Sequence, residues 1–269
     1  MKLLLLILFL ACGSSYQLNR AEHALQDGDL MSAEARYRRV LDAEPDNLDA
    51  LYGVGWVYHL SGDTERAREF FKRCVRVGPQ DYRGYRGLGS VAMAEGNVKN
   101  AEEQFKRALE LAPEEPRVLG SLGLLYLSAD RETEALALFQ RARDADPTRG
   151  ETGYNLAEAQ LRLGHPDEAL NTIDAALNAR IDEERFRGLL LELRARALVS
   201  TTAGRVDSSR CAETAPPVLA WLDRADKALD QAAALDLNLP NLPATRRLVH
   251  RRRSSVTEQC PGAGAKGPE

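Results

Sequence analysis

The stretch Asn97-Val-Lys-Asn-Ala-Glu-Glu-Gln-Phe-Lys-Arg-Ala-Leu-Glu-Leu-Ala-Pro113 decides the fold of this chain. Within it Ala101, Phe105 and Ala108 fall at helical spacing, and Pro113 stops the helix. The pattern returns in one register every 34 residues, as Ala33, Tyr37, Val40 and Pro45, as Ala67, Phe71, Cys74 and Pro79, and as Ala135, Phe139, Ala142 and Pro147. Four matches at one spacing indicate an internal repeat.

Each period also contains a first helix, which lies upstream of this stretch. Leu88, Gly89 and Ala92 share a face of that helix, and Gly96 breaks it before the second helix begins. Two neighbouring units have the same arrangement, with Val54, Gly55, Tyr58 and Gly62 in one and Leu122, Gly123 and Tyr126 in the other. The small residues stand where two helix backbones must approach each other.

A helix, a tight turn and a second helix in this length resemble the tetratricopeptide repeat (TPR). The resemblance implies an all-α fold, a right-handed TPR α-solenoid of about five to six helical pairs. We assign five units, to residues 14–47, 48–81, 82–115, 116–149 and 150–183, of which the fifth is degenerate. The motif residues build the scaffold and not the site, so the resemblance implies much about the fold and little about the function.

Composition agrees with such a fold and excludes one class of partner. The 269 residues are 44% hydrophobic but only 6% aromatic, as expected for helices packed through alanine and leucine. Charged residues make up 28% of the chain, and the net charge is −4. This balance describes a solvated surface and not a nucleic-acid binder.

The pattern of residues at the N-terminus indicates an export signal. An apolar run, Leu3 to Leu10, follows Met1 and Lys2 and is too short for a bilayer, which takes about 20 residues. We therefore predict a signal peptide over residues 1–11.

Residues Ala11-Cys12-Gly13 resemble the end of a bacterial lipoprotein signal. The resemblance implies that Cys12 is lipidated and becomes the mature N-terminus, although Phe9 stands where that family prefers leucine. Gly13, where an aspartate would retain the protein in the inner membrane, favours the outer membrane. An ordinary signal peptide that contains a cysteine is the alternative. The repeat helix is expected to begin by Tyr16 after a short tether, residues 12–15, that reaches on the order of 10 Å, with Ser14 or Ser15 as N-cap.

No pattern in the chain predicts catalysis. The four histidines, His23, His59, His165 and His250, are scattered, and H-E-x-x-H, G-x-S-x-G, the P-loop and the dinucleotide fingerprint are all missing from the sequence. We therefore expect a non-enzymatic protein without a cofactor or a metal.

The groove is the remaining candidate site. In TPR proteins the first helices line the concave side, mostly through the second, fifth, ninth and twelfth positions of each unit. The resemblance therefore assigns to a protein-binding groove Tyr52, Trp56, His59, Arg83, Arg86, Met93, Arg117, Leu124 and Tyr154. Aromatic residues beside arginines suit a peptide with acidic and apolar residues. Two plainer interpretations remain, namely that the aromatic residues only pack on a neighbouring helix and that the arginines form an ordinary solvated face.

The carboxylate-clamp subclass of TPR domains is not indicated. That subclass needs asparagine at the ninth position of its first clamp unit. Trp56, Ser90 and Leu124 occupy this position here.

Past residue 183 the repeat gives way to a predicted helical cap over residues 184–253. The predicted cap has an inserted loop at 201–217, which contains Pro216 and Pro217, and a short last helix that starts at Pro240 and Pro243. That helix has a basic run, Arg246 to Arg253, which either meets an anionic surface or only complements the helix dipole. Residues 254–269 are predicted to be disordered.

The cysteines fit an oxidising compartment. Cys74 occupies a small-residue core position, where a buried free thiol is ordinary. Cys211 and Cys260 lie in segments that the sequence predicts to be loose. In an exported protein such a pair favours a disulfide.

These features favour a lipid-anchored, periplasm-facing TPR protein that binds other proteins as a scaffold or assembly factor of the cell envelope. It is distantly similar to the TPR pilotin lipoproteins of the outer membrane. The alternatives are a structural envelope protein without a transient client, or a cytoplasmic TPR adaptor if residues 1–11 are not a signal. The oligomeric state stays open.

Overall fold

The computed structural model describes residues 2–179, 184–235 and 237–262, with side chains from Gly13 onward. These residues form an all-α structure. Its helices are α1 (Lys2–Gln26), α2 (Leu30–Ala43), α3 (Leu48–Leu60), α4 (Thr64–Val77), α5 (Tyr82–Ala94), α6 (Val98–Leu111), α7 (Pro116–Ser128), α8 (Glu132–Ala145), α9 (Gly150–Arg162), α10 (Pro166–Asn178), α11 (Glu184–Thr201), α12 (Cys211–Ala233) and α13 (Leu242–Gln259).

The chain divides into two compact units, unit 1 up to Leu125 and unit 2 from Tyr126. In unit 1 the helices pack in sequence order as the hairpins α1–α2, α3–α4 and α5–α6. The first helices of successive hairpins, α1, α3 and α5, also contact one another. In unit 2 the hairpin α9–α10 is followed by α11, α12 and α13, and α11 contacts both α9 and α13. This order of contacts is that of stacked helical repeats.

Side chains at the helix starts explain where the repeat helices begin. Asn47, Asp63 and Asn97 each accept a hydrogen bond from the backbone N–H three residues ahead, at 3.0–3.2 Å. These bonds satisfy N–H groups that have no partner inside the helix. Helices α3, α5, α7 and α9 begin at the first residues of the predicted units, 48, 82, 116 and 150.

The turn between the two helices of each unit needs a left-handed backbone. Gly62 and Gly96 have φ of +83° and +73°, a region that glycine enters at no steric cost. In the fourth unit Asp130 stands at the same position of the repeat and has φ of +55°. Aspartate is one of the few residues with a side chain that tolerate this conformation.

The core of the second and third repeats is a phenylalanine ring that packs on glycine backbones. Phe71 and Phe105 are fully buried. A Cβ added at Gly55 or Gly87 would lie within 2.5 Å of the Phe71 ring, closer than any packing allows. The helices that carry these glycines can therefore approach the ring only because the Cβ is missing.

The prediction of a helix start near Tyr16 is wrong, because α1 is continuous from Lys2 to Gln26. Ser14 lies inside the helix, and its hydroxyl donates to Glu44 Oε1 at 2.5 Å. A single glycine, Gly13, costs a helix only about 1 kcal/mol and does not end it. The segment expected to be a tether, residues 12–15, is thus helical. The side chain of Cys12 lies outside the described side chains.

The prediction of a loop at 201–217 is also wrong for residues 211–217, which belong to α12. A short turn and a 3-10 segment, Ser208–Arg210, lead directly into α12, which contains Pro216 and Pro217. Both prolines are exposed, and the carbonyls that lose a donor belong to exposed residues four positions earlier. Buried neighbours on the other face, Ala215 and Val218, hold the segment in helical form.

The predicted disorder from residue 254 is wrong as far as the described residues extend, while residues 263–269 lie outside them. Helix α13 continues to Gln259, and Val256 and Cys260 are fully buried. Cys260 and Cys211, the pair expected to be joined, form a disulfide with a Cα–Cα distance of 5.3 Å. Cys74 is free, and burial raises the pKa of its thiol to about 12.

The basic run of α13 is largely engaged within unit 2. Arg253 pairs with Asp223 and Asp226 at 2.8 Å, and Arg246 pairs with Asp230 at 2.9 Å. These acidic residues all lie on α12. The ion pairs fix α13 on its neighbour, so this part of the run is not an open cationic surface.

A search of the described residues found no helix with the length and apolar character to cross a membrane.

Candidate functional site

Three aromatic side chains follow one another along a face of α3. The ring centroids of Tyr52 and Trp56 lie 6.0 Å apart, and those of Trp56 and His59 lie 5.1 Å apart, both edge to face. Beneath them Phe71 of α4 lies 6.0 Å from Tyr52 and 5.8 Å from Trp56. The spacing of four and three residues puts these rings on one side of the helix, where each supports the next.

Arg86 of α5 lies across this row of rings. Its Cζ is 4.7 Å from the centroid of Trp56 and 5.7 Å from that of Tyr52. Its Nε donates to the Tyr52 hydroxyl at 3.1 Å, and its Nη2 donates to the same oxygen. The guanidinium is therefore held by two hydrogen bonds and two cation–π contacts.

Arg83, one turn earlier on α5, has a different environment. Its guanidinium pairs with Asp81, at 2.7 Å between Nη2 and Oδ2, and with Asp49 of α3. The hydrogen bond with Asp81, and after it the bond with Asp49, raise the pKa of Arg83. The predicted arginine cluster is therefore not uniformly cationic, because two carboxylates balance the charge of Arg83.

Two buried polar atoms of this face have no partner. Trp56 Nε1 and His59 Nδ1 are both buried and form no hydrogen bond. Burial, and then the charge of Arg86, lower the pKa of His59, so its imidazole is neutral near pH 7. Buried polar atoms without a hydrogen-bond partner are rare in folded proteins.

We name Tyr52, Trp56, His59, Arg83 and Arg86 the groove cluster. The other predicted residues lie apart from these contacts. Met93 is half-buried near the end of α5, whereas Arg117 and Leu124 are exposed on α7. Tyr154 belongs to unit 2, where its ring lies 6.5 Å from Phe186.

The repeat spacing relates the residues of two of these contacts. Asp49 and Arg83 are 34 residues apart, and so are Tyr52 and Arg86. Each pair thus occupies one repeat position in successive units, and adjacent first helices bring equivalent positions together. A comparison of equivalent positions would have predicted that Asp49 neutralises Arg83.

Unit 2 has a buried polar group of its own. Glu192 of α11 is 1% exposed, and Thr245 of α13 donates to its Oε1, while Oε2 is buried without a partner. Arg196 pairs with Glu158 of α9 at 2.9 Å. Burial raises the pKa of Glu192. Among the described residues no cluster of three or more His, Cys, Asp or Glu side chains is arranged to hold a metal ion.

Family models described as tetratricopeptide repeat match residues 18–82, 86–149 and 126–193. Together they span well over half of the chain. The chain belongs to the TPR family. The match extends through the fifth unit, whose buried Ile173 replaces the aromatic residue of the other repeats.

Solved structures agree with this TPR fold. The thermophilic TPR protein TTC0263 of Thermus thermophilus has a TM-score of 0.60 at 24% identity, over 70% of this chain and 98% of that one. PilF of Pseudomonas aeruginosa has a TM-score of 0.59 at 16% identity, over 88% of this chain and 98% of that one. Cut9–Hcn1 of the APC/C has a TM-score of 0.65 at 17% identity, over 89% of this chain and 43% of that one.

At these identities the likeness concerns the fold alone. A search of curated protein sequences gave no match. TPR domains generally mediate protein–protein interaction and are not enzymes, and this coarse function follows from the family.

Proposed function

We propose that this TPR protein is a scaffold or assembly factor of the bacterial cell envelope that binds another protein or a peptide at the groove cluster. In this proposal it is anchored by a lipid on Cys12, faces the periplasm and lies at the outer membrane. It binds no nucleic acid and catalyses no reaction.

The observation that carries the binding proposal is the stack of Arg86 on Tyr52 and Trp56. Tryptophan, tyrosine and arginine are the residues that most often anchor protein interfaces. Here they are held in place before a partner arrives, which lowers the entropy cost of binding.

The proposed location rests on separate observations. The apolar run Leu3 to Leu10 ends at Ala11-Cys12-Gly13, the residues of the lipoprotein resemblance. The disulfide between Cys211 and Cys260 is compatible with an oxidising compartment such as the periplasm.

Partner capture from solubilised membranes tests the binding proposal. We expect Trp56→Ala to weaken capture by about 2 kcal/mol, which is roughly 30-fold in affinity. Trp221→Ala is the matched control, because Trp221 lies in unit 2 and is also stacked with an arginine, Arg205, at 4.6 Å. Equal capture by both folded variants and by the wild type would contradict a role for the groove cluster.

Fractionation tests the anchor. We expect the wild-type chain in the membrane fraction and Cys12→Ser either in the soluble fraction or as an uncleaved precursor. A wild-type chain free in the cytosol would contradict the proposed location and favour an adaptor.

A further inference from the structure

The two arginines of the groove cluster differ in their ion pairs. Arg83 has two carboxylate partners, Asp81 and Asp49. Arg86 forms no ion pair with any carboxylate of the described residues, although it is only half-exposed. A cation placed against aromatic rings without a counter-ion is more open to an incoming anion than one already neutralised.

The hydrogen bonds of Arg86 show which side of the guanidinium is available. A guanidinium has five N–H groups. Two of them, one on Nε and one on Nη2, donate to the Tyr52 hydroxyl, so three remain. The remaining three include both N–H groups of Nη1 and one of Nη2. These two nitrogens form the edge that binds a carboxylate in bidentate fashion.

One neighbouring ring leaves this position open to an anion. His59 is neutral and therefore does not compete with Arg86 for an anion. Asp49, the partner of Arg83, is exposed and repels a second negative charge.

Resting on the proposed function, we infer that the groove cluster binds a single Asp or Glu side chain within a partner segment and that Arg86, not Arg83, binds its carboxylate. An apolar residue beside that acid packs on Tyr52 and Trp56. An acidic run fits poorly, because Arg83, one turn away from Arg86 on α5, already has two carboxylate partners, Asp49 and Asp81.

Selection from a random library of 12-residue peptides with amidated C-termini tests the inference on the full chain. We compare the wild type with Arg86→Gln and Arg83→Gln, and with Arg73→Gln as a matched control. Arg73 is likewise stacked on a ring, that of Phe70, at 5.5 Å, but on α4. Circular dichroism and thermal melting check that each variant is folded.

We expect the wild type and Arg73→Gln to enrich peptides with one acidic residue beside an apolar one. Arg83→Gln should weaken that enrichment less than Arg86→Gln does, because it removes the partner of Asp49 and Asp81 but not the guanidinium that binds the acid. Arg86→Gln should lose that preference. For a selected peptide, Arg86→Gln should weaken binding roughly tenfold or more. When the acidic residue of the peptide is replaced by its amide, Arg86→Gln should change the affinity little. The two replacements together form a double-mutant cycle.

Three results would overturn the inference: acid enrichment that persists in Arg86→Gln, acid enrichment that disappears in Arg83→Gln alone, or wild-type peptides without an acid. A parallel selection with free C-termini that enriches only a terminal carboxylate would also overturn it. Failure of the proposed function looks different, because the peptides would then bind Trp56→Ala as well as the wild type. A library that yields no binding peptide at all counts against both.

Discussion

The second and third repeats of unit 1 and the last three helices of unit 2 build their cores in different ways. In the repeats the ring of Phe71 packs against the backbones of Gly55 and Gly87, on the helices before and after its own. In α11–α13 the core consists of leucine, valine and alanine side chains, Leu198, Leu222 and Val249 among them. There a disulfide and a set of arginine–aspartate pairs add to the apolar contacts.

The difference shows two ways to close a helical stack. A repeat packs on an equivalent neighbour, so a small ring-and-glycine contact can be used again in each unit. The end of a stack has no equivalent neighbour, and its last apolar face needs a cover of another kind. In unit 2 α13 covers α11 and α12 and is attached to α12 by Cys260 and to α11 by Thr245.

The largest expected effect tests the repeat side of this comparison. Phe71→Ala should destabilise unit 1 by about 3–5 kcal/mol, because it empties the space between three helices. Phe70→Ala is the matched control. Its ring is only half-buried, 5.7 Å from Tyr58, so we expect a loss of about 1 kcal/mol. Urea unfolding followed by circular dichroism measures both; similar losses for the two variants would contradict the ring-and-glycine explanation.

The second effect tests the cover of unit 2. Replacing both Cys211 and Cys260 by serine should cost about 2–4 kcal/mol, because the bond links residues 49 positions apart. Hydrogen exchange should show faster opening of α13, with α3–α6 unchanged. Dithiothreitol should destabilise the wild type and leave the double variant unaffected. Equal protection of α13 in both proteins would show that the ion pairs and apolar contacts suffice.

The smallest effect concerns Glu192 beneath α13. Because burial raises its pKa in the folded state above the ordinary value of 4.5, the folded chain holds this proton more tightly than the unfolded chain does. The protonated Glu192 side chain therefore stabilises the fold fully at low pH. This stabilisation is lost as the pH rises through the raised pKa.

Glu192→Gln keeps an oxygen that accepts from Thr245 but cannot become charged. We expect it to be more stable than the wild type at pH 7, by on the order of 1 kcal/mol, with the difference shrinking toward pH 4. Melting temperatures of both proteins across this pH range measure it. A constant difference would mean that the charge of Glu192 is not the cause.

The groove cluster shows how far repeat positions predict a site. They placed Tyr52, Trp56 and Arg86 on first helices, and in unit 1 these residues contact one another. Repeat positions did not distinguish the roles of Arg83 and Arg86, because both are arginines at groove positions of the same helix. Only the partner across the helix pair differs: Asp49 faces Arg83 and Tyr52 faces Arg86.

The sequence by itself determined the helix hairpins, the repeat period, the buried rings and the small residues beneath them. It could do so because each of these depends on contacts within one unit or with an identical neighbour. Only the tertiary structure decided the course of α12 through Pro216 and Pro217, the ordered end of α13 and the charge balance of the groove cluster. The first two depend on contacts between residues that are not related by the repeat period. The charge balance depends on which residue of the preceding helix faces each arginine. Local propensity predicted a loop at 201–217 and disorder after 254, and burial of Ala215, Val218, Val256 and Cys260 outweighed it.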